Sequence, residues 1–181
     1  MKLLIASDIH GDLDSAKLVF SAFEKECCDK IILLGDLLYH GPRNDLPKSY
    51  APKEVISLLN QNKSNIIAVR GNCDTEVDQM VLNFPILADY LCLHTDNLTM
   101  YLTHGHKYNI DSPLAFCRGD ILLHGHTHIP TCKEFGESNL YLNPGSPSIP
   151  KGGYPGSYMI YENRCFTVKD FDGKIIFTKQ L

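Results

Sequence analysis

An α/β fold built on two face-to-face β-sheets is what this 181-residue chain predicts. Three observations carry that expectation. The first half alternates short apolar runs with helix-period stretches, which is the pattern of βαβ units. The second half is a series of strand-like runs separated by turn residues, so helices are expected outside at least one of the sheets. Three apolar runs of the first half also end alike, with a metal-capable side chain just past the last apolar residue. Open α/β sheets place their ligand sites at such strand ends.

Composition narrows the class. Hydrophobic residues make up 44% and charged residues 21%, as in an ordinary globular protein. The length suits a single domain, residues 1–181, with a sizeable core. A formal net charge of −4 argues against a surface that tracks polymeric nucleic acid. No run approaches membrane-spanning length, so no membrane partner is expected. The apolar start Met1–Ala6 is too short for a signal peptide. Seven cysteines, an odd number with no Cys-x-x-Cys pair, point to reduced thiols in the cytoplasm and to no structural zinc knuckle.

The elements follow in order. Leu3–Ala6 is a buried strand that ends at Ser7-Asp8. Residues 13–25 carry Leu13, Ala16, Leu18, Val19 and Phe23 on one helical face, with Asp12 as the cap and Cys27-Cys28 filling the helix end. Ile31–Leu34 is the second strand and ends at Gly35-Asp36. Residues 39–52 are rich in Gly, Pro and Asn and read as a loop. Pro52 opens the next helix, to about Asn60. Ile66–Val69 is the third strand, followed by Arg70-Gly71-Asn72-Cys73-Asp74. Strands are then expected at 87–93, 98–103, 121–123, 140–142, 158–161, 165–168 and 175–178. Asn97, Gly105 and Asp172-Gly173 mark turns, the last a tight hairpin.

The stretch Leu123-His124-Gly125-His126-Thr127-His128 holds the chemistry together. In extended backbone, alternate side chains point the same way, and Gly125 lets the backbone approach a ligand. Asp8, His10, Asp36, Asn72, His104, His126 and His128 are the candidate metal ligands. Taken singly, Asp8 reads as a helix cap, Asp36 as a turn residue and Asn72 as a left-handed turn residue. Their recurrence at the ends of successive strands favours a metal centre instead. Carboxylate oxygens with imidazole nitrogens suit Mn²⁺, Fe²⁺ or Zn²⁺ better than Ca²⁺. The set is too large for one tetrahedral ion, so two are expected, with Asp36 bridging them through its two oxygens.

Asp8-x-His10, Gly35-Asp36, Gly71-Asn72-x-Asp74, the His104 motif and Gly125-His126-x-His128 together resemble the calcineurin-like metallophosphoesterases. The similarity to the small bacterial phosphodiesterases of the YfcE type extends through His40-Gly41-Pro42-Arg43-Asn44, Asn143-Pro144-Gly145-Ser146 and Ile149-Pro150-Lys151-Gly152-Gly153. The resemblance implies a four-layer α/β/β/α sandwich of two mostly mixed sheets flanked by helices. It also implies that Asp8, His10, Asp36 and His128 hold one ion, and Asp36, Asn72, His104 and His126 the other. Mn²⁺ is the implied metal, with Fe²⁺, Zn²⁺, Ni²⁺ or Mg²⁺ as alternatives. The implied activity is hydrolysis of a small phosphodiester by in-line attack of a dimetal-bound hydroxide, in a homodimer. Asp36, Asn72, Cys73 and Asp74 form the implied catalytic group. Cys73 stands where the wider family often has His, and Asp74 is the residue that would orient that His.

Around this set, His40 and Arg43 are candidate substrate residues, Arg43 because a guanidinium suits phosphate. Arg70 is expected to brace loops and His106 to support the ligands. His124 is expected to be a satisfied strand-end residue, His94 plain surface and Lys151 a solvated loop residue. The competing functions are a phosphomonoesterase, a nucleotide pyrophosphatase and a non-catalytic binding scaffold. Cys73 weighs against the monoesterase, because a doubly charged substrate loses a cationic partner. The full ligand set weighs against the scaffold.

Overall fold

The computed structural model describes residues 1–181. Its strands are β1 (Leu3–Ala6), β2 (Lys30–Leu33), β3 (Ile66–Ala68), β4 (Tyr90–Thr95), β5 (Leu98–Thr103), β6 (Ile121–Leu123), β7 (Thr131–Phe135), β8 (Asn139–Asn143), β9 (Ser157–Glu162), β10 (Cys165–Asp170) and β11 (Ile175–Gln180). Its helices are α1 (Leu13–Lys25), α2 (Pro52–Gln61) and α3 (Glu76–Val81). One sheet has the order β11-β10-β9-β1-β2-β3 and the other β4-β5-β6-β8-β7. Both are mixed: β1, β2 and β3 run parallel, as do β5, β6 and β8, while the flanking strands are antiparallel.

The first three strands read as unbroken apolar runs because both of their faces are covered. Leu4, Ala6, Ile31 and Leu33 face outward and pack with Ala16, Val19 and Phe20 of α1 and Val55 and Leu59 of α2. Leu3, Ile5, Ile32 and Leu34 face inward and meet Met100, Leu102, Ile121, Leu123, Leu140 and Leu142 of the second sheet. Helix α1 begins where Asp12 accepts a hydrogen bond from Ser15 N at 2.8 Å, and the chain leaves it through Cys27 in the left-handed region. Leu18, placed on its apolar face by periodicity, is 45% exposed, and Phe20 takes the buried position.

Four details differ from the sequence reading. The strand expected at 87–93 is Tyr90–Thr95, closed onto β5 by a two-residue turn, Asp96-Asn97, with both residues at positive φ. Strand β7 is new: Thr-Cys-Lys-Glu-Phe is a mostly exposed edge strand with no apolar alternation to reveal it. Helix α3 is also new. It is six residues long and held by a capping box between Thr75 and Asp78, and Thr75-x-x-Asp78 was its available signal. Finally, all three helices precede β4. The outer face of the second sheet, with Tyr101, Leu122 and Tyr141, is bordered by an irregular segment whose Phe116 ring stands edge-on to Tyr101 at 5.0 Å. Gly105, Asn109, Ser112, Pro113 and Gly119 make that segment a poor helix former. The flanking layer on this side is therefore irregular and not helical.

Candidate metal centre

The carboxyl ends of the parallel strands of both sheets open on one cleft. Asp8 follows β1, Asp36 follows β2, Asn72 follows β3, His104 follows β5, and His126 and His128 follow β6. Four of these, with His10 beside Asp8, turn into the cleft through left-handed backbone: Asp8, His10, Asp36, His126 and His128 all have φ between 51° and 64°. Such conformations cost on the order of 1–3 kcal/mol each and concentrate at functional sites. Two glycines make the approach possible. A Cβ on Gly71 would lie 2.1 Å from Asp36 Oδ1, and one on Gly125 would lie 1.9 Å from Ser7 Oγ and 2.5 Å from Asp8 Oδ2.

Each buried imidazole is aimed by a backbone carbonyl. His10 donates from Nδ1 to Tyr39 O at 2.8 Å, His104 to Leu34 O at 2.7 Å and His128 to Ile149 O at 2.7 Å. That fixes the tautomer and turns Nε2 of all three toward the cleft. His126 presents Nδ1 instead, 3.2 Å from His104 Nε2. Asn72 Oδ1 lies 3.0 Å from the same His104 nitrogen. Asp8 Oδ1 faces His128 Nε2 at 3.3 Å, His10 Nε2 at 3.6 Å and His104 Nε2 at 3.9 Å. Asp36 Oδ2 lies 3.4 Å from His104 Nε2 and 3.8 Å from His10 Nε2, one histidine from each expected ligand set. Its Oδ1 accepts the Cys73 N–H at 2.8 Å. Asp36 thus turns Oδ2 to the histidines while Oδ1 is held by the Cys73 backbone.

Ligand atoms of Asp8, His10 and His128, of Asp8, Asp36 and His104, and of His10, Asp36 and Cys73 form three groups close enough to share an ion. Asp8 Oδ1 is buried and has no hydrogen-bond donor in the protein. A buried carboxylate oxygen left so, among imidazole nitrogens, fits a cation. Burial opposes the charge on Asp8, yet the facing His104, His10 and His128 hold its carboxyl well below the usual range. Burial likewise opposes charge on His104, but Asp8 and Asp36 outweigh it and raise the imidazole to about 9. His104 therefore carries a proton that a metal binding at its Nε2 displaces.

Asp74 behaves differently from the rest. It is 2% exposed, and its carboxylate accepts three backbone N–H groups: Leu37 at 2.9 Å, Asp36 at 2.8 Å and Gly71 at 2.7 Å. Burial and the nearby Asp36 charge push it up to about 6 against those donors. Burial and Asp36 also push the Cys73 thiol up, so it stays neutral. A cavity of about 330 Å³ opens over the cluster, walled by Arg43, Asn44, Cys73, Thr127 and Lys151 beside the ligands. His40 is not among its walls; that ring stands edge-on to Tyr39 and Tyr50 at 4.8 and 5.2 Å. Arg70 donates to Asp74 O and pairs with Glu76, a loop brace as expected.

Residues 1–164 match the calcineurin-like phosphoesterase superfamily domain. The chain belongs to this family. Among curated calcineurin-like relatives, the chain is 46% identical to phosphodiesterase YfcE of Escherichia coli K12 over 168 residues, 93% of this chain and 91% of that one. It is 28% identical to phosphodiesterase MJ0936 of Methanocaldococcus jannaschii, over 80% of this chain and 83% of the relative. The solved structure of the Escherichia coli phosphoesterase YfcE superposes with a TM-score of 0.96 at 44% identity, covering 99% of this chain and 98% of that one.

Further residues shape this site, some with no role assigned from the sequence and two, His106 and His124, expected beside the ligands. Asn143, part of the Asn143-Pro144-Gly145-Ser146 stretch in the family resemblance, donates from its amide nitrogen to Gly125 O, Thr127 Oγ1 and Tyr141 Oη and so shapes the loop of His126 and His128. Ser146 and Ser148 both donate to Asp8 O at 2.8 Å. His124 stacks on Tyr141 at 4.1 Å, and burial lowers it to about 4. His106 lies 5.4 Å ring to ring from His104 and, chiefly by burial, also falls to about 4.

Proposed function

We propose that the chain hydrolyses small phosphodiesters with two divalent metal ions, Mn²⁺ foremost, acting in the cytoplasm as a homodimer. One observation carries the reading above the others. The oxygens of Asp8, Asp36 and Asn72 and the ring nitrogens of four histidines converge, and Asp8 Oδ1 among them has no donor. Asp8, His10, Asp36 and His128 would hold one ion, and Asp36, Asn72, His104 and His126 the other. When bound, such a pair neutralises phosphate charge and brings the pKa of a water toward neutrality.

The chain's own residues do the rest. Arg43 and Lys151 place two cations on the cavity wall, where a phosphate anion would sit. Cys73 adds no positive charge there, which favours a singly charged diester over a doubly charged monoester. Asp74 acts behind the site as a positioning residue that ties the Asp36 loop to the Gly71 loop. His40 is left out of substrate contact. For the homodimer, the edge strands β4 and β11 offer exposed Tyr90 and Ile175 as pairing surfaces. The test is chelation and reconstitution. Metal-stripped protein should lose hydrolysis of bis(p-nitrophenyl) phosphate, and Mn²⁺ should restore it above the rate on p-nitrophenyl phosphate. Full activity with no metal detected by elemental analysis overturns the reading.

A further inference from the structure

A second cavity, of about 430 Å³, adjoins the metal cavity, and Cys73 is a wall of both. The two differ in chemistry. One of the twelve residues around the metal cavity is hydrophobic, against seven of the eleven around its neighbour. Leu38, Tyr50, Ile56, Val77 and Val81 line that second groove. Tyr39 connects the two, since its carbonyl aims His10 while the residue, 42% exposed, also lines the groove. Gly41, at positive φ, lies over Cys73, where a Cβ would come within 3.2 Å of Sγ.

A phosphodiester is an anion with two organic arms. The polar cavity suits the anion and offers an arm almost no apolar contact. We propose that the groove beyond Cys73 is a subsite for one arm of the substrate, and that it selects diesters bearing an aromatic or apolar ester group. Two tyrosine rings and a floor of aliphatic side chains bind such a group by burial of its surface. This rests on the phosphodiesterase reading and specifies its substrate class. Lys53, Thr75 and Asp78 also line the groove, so its selectivity for an apolar arm rests on the surface of Leu38, Ile56, Val77, Val81 and the two tyrosine rings.

The experiment separates the groove from turnover. Binding of phenylphosphonate and of methylphosphonate to the Mn²⁺-loaded full chain is measured by calorimetry at a pH where both phosphonates are doubly charged, so that the two probes carry the same head. Phenylphosphonate should bind at least about tenfold more tightly, the discrimination an apolar pocket gives. In the double variant V77Q/V81Q, two positions that are 68% and 42% exposed and so tolerant of change, that ratio should fall toward one. M80Q, on the same helix but outside the groove, should keep it. Equal binding of the two probes by the native chain, or an undiminished ratio in V77Q/V81Q, overturns the proposal. Absence of aryl diester hydrolysis alongside a retained binding ratio would instead count against the phosphodiesterase reading alone.

Discussion

Asp74→Ala should unseat the metal centre without touching a ligand. The carboxylate is the acceptor for three buried backbone donors, Asp36 N, Leu37 N and Gly71 N. Removing it orphans all three, and a buried donor without a partner costs about 1–3 kcal/mol. The nominal sum is about 3–9 kcal/mol; water entering the vacated space recovers part, so about 3–5 kcal/mol is the expected loss. Asp74→Asn keeps an acceptor for two of the three donors and should lose about half as much. Urea unfolding of each variant gives the stability, and elemental analysis after Mn²⁺ loading gives the metal content. The two should fall together, because the donors belong to the loops that carry Asp36 and Asn72. If Asp74 instead moved a proton in the reaction, Asp74→Asn would cut kcat by about 10²–10⁴-fold at unchanged stability and full metal content. That pattern would refute the bracing argument.

Two further outcomes are expected. Asp36→Ala should lower the bound metal below that of Asn72→Ala, since Asp36 faces a histidine of each set and Asn72 faces one; His94→Ala, an exposed change, serves as the control, and two retained ions in Asp36→Ala would count against a bridging role. Metal affinity should rise with pH. The His104 imidazole is raised from 6.5 to about 9 in the metal-free cage, so its proton must be displaced below that value and is already gone above it. Below about 9 the slope for this proton should be about tenfold in affinity per pH unit, read by calorimetry, and a flat profile would show that His104 carries no displaced proton. The same raised value means the metal-free protein gains stability from His104 at low pH and loses it as pH climbs through about 9.

How much was legible in the sequence follows from where each signal is encoded. Strands β1, β2 and β3 were visible because burial on both faces demands apolar residues throughout. Strand β7 was hidden because an exposed edge strand makes no such demand. The candidate ligands were visible as residue types just after strands. The groups that aim them were not, since Leu34 O, Tyr39 O and Ile149 O are backbone carbonyls that any residue would supply. The Cys73 N–H that holds Asp36 Oδ1 was hidden for the same reason, because a backbone donor leaves no mark in composition.

The left-handed backbone at five candidate ligands connects the fold to its use. A strand that ended in ordinary extended backbone would send alternate side chains to opposite faces of the sheet. The left-handed step just past the strand breaks that alternation and turns Asp8 and His10, and again His126 and His128, toward a common point. Asp and His tolerate this conformation better than β-branched residues do, so the residue types that ligate also limit the strain. What holds the turns in place is local and specific. Asp8 N donates to Gly35 O and His10 N to Asp36 O, which lashes the first loop to the second. The His126 N–H takes Asp8 Oδ2, which lashes the second sheet to the first. That leaves Asp8 Oδ1 as the one oxygen of this carboxylate that the protein does not satisfy, and it points at the histidines. A fold that spent backbone strain and hydrogen bonds to isolate one buried carboxylate oxygen among imidazoles is stabilised fully only when a cation completes it.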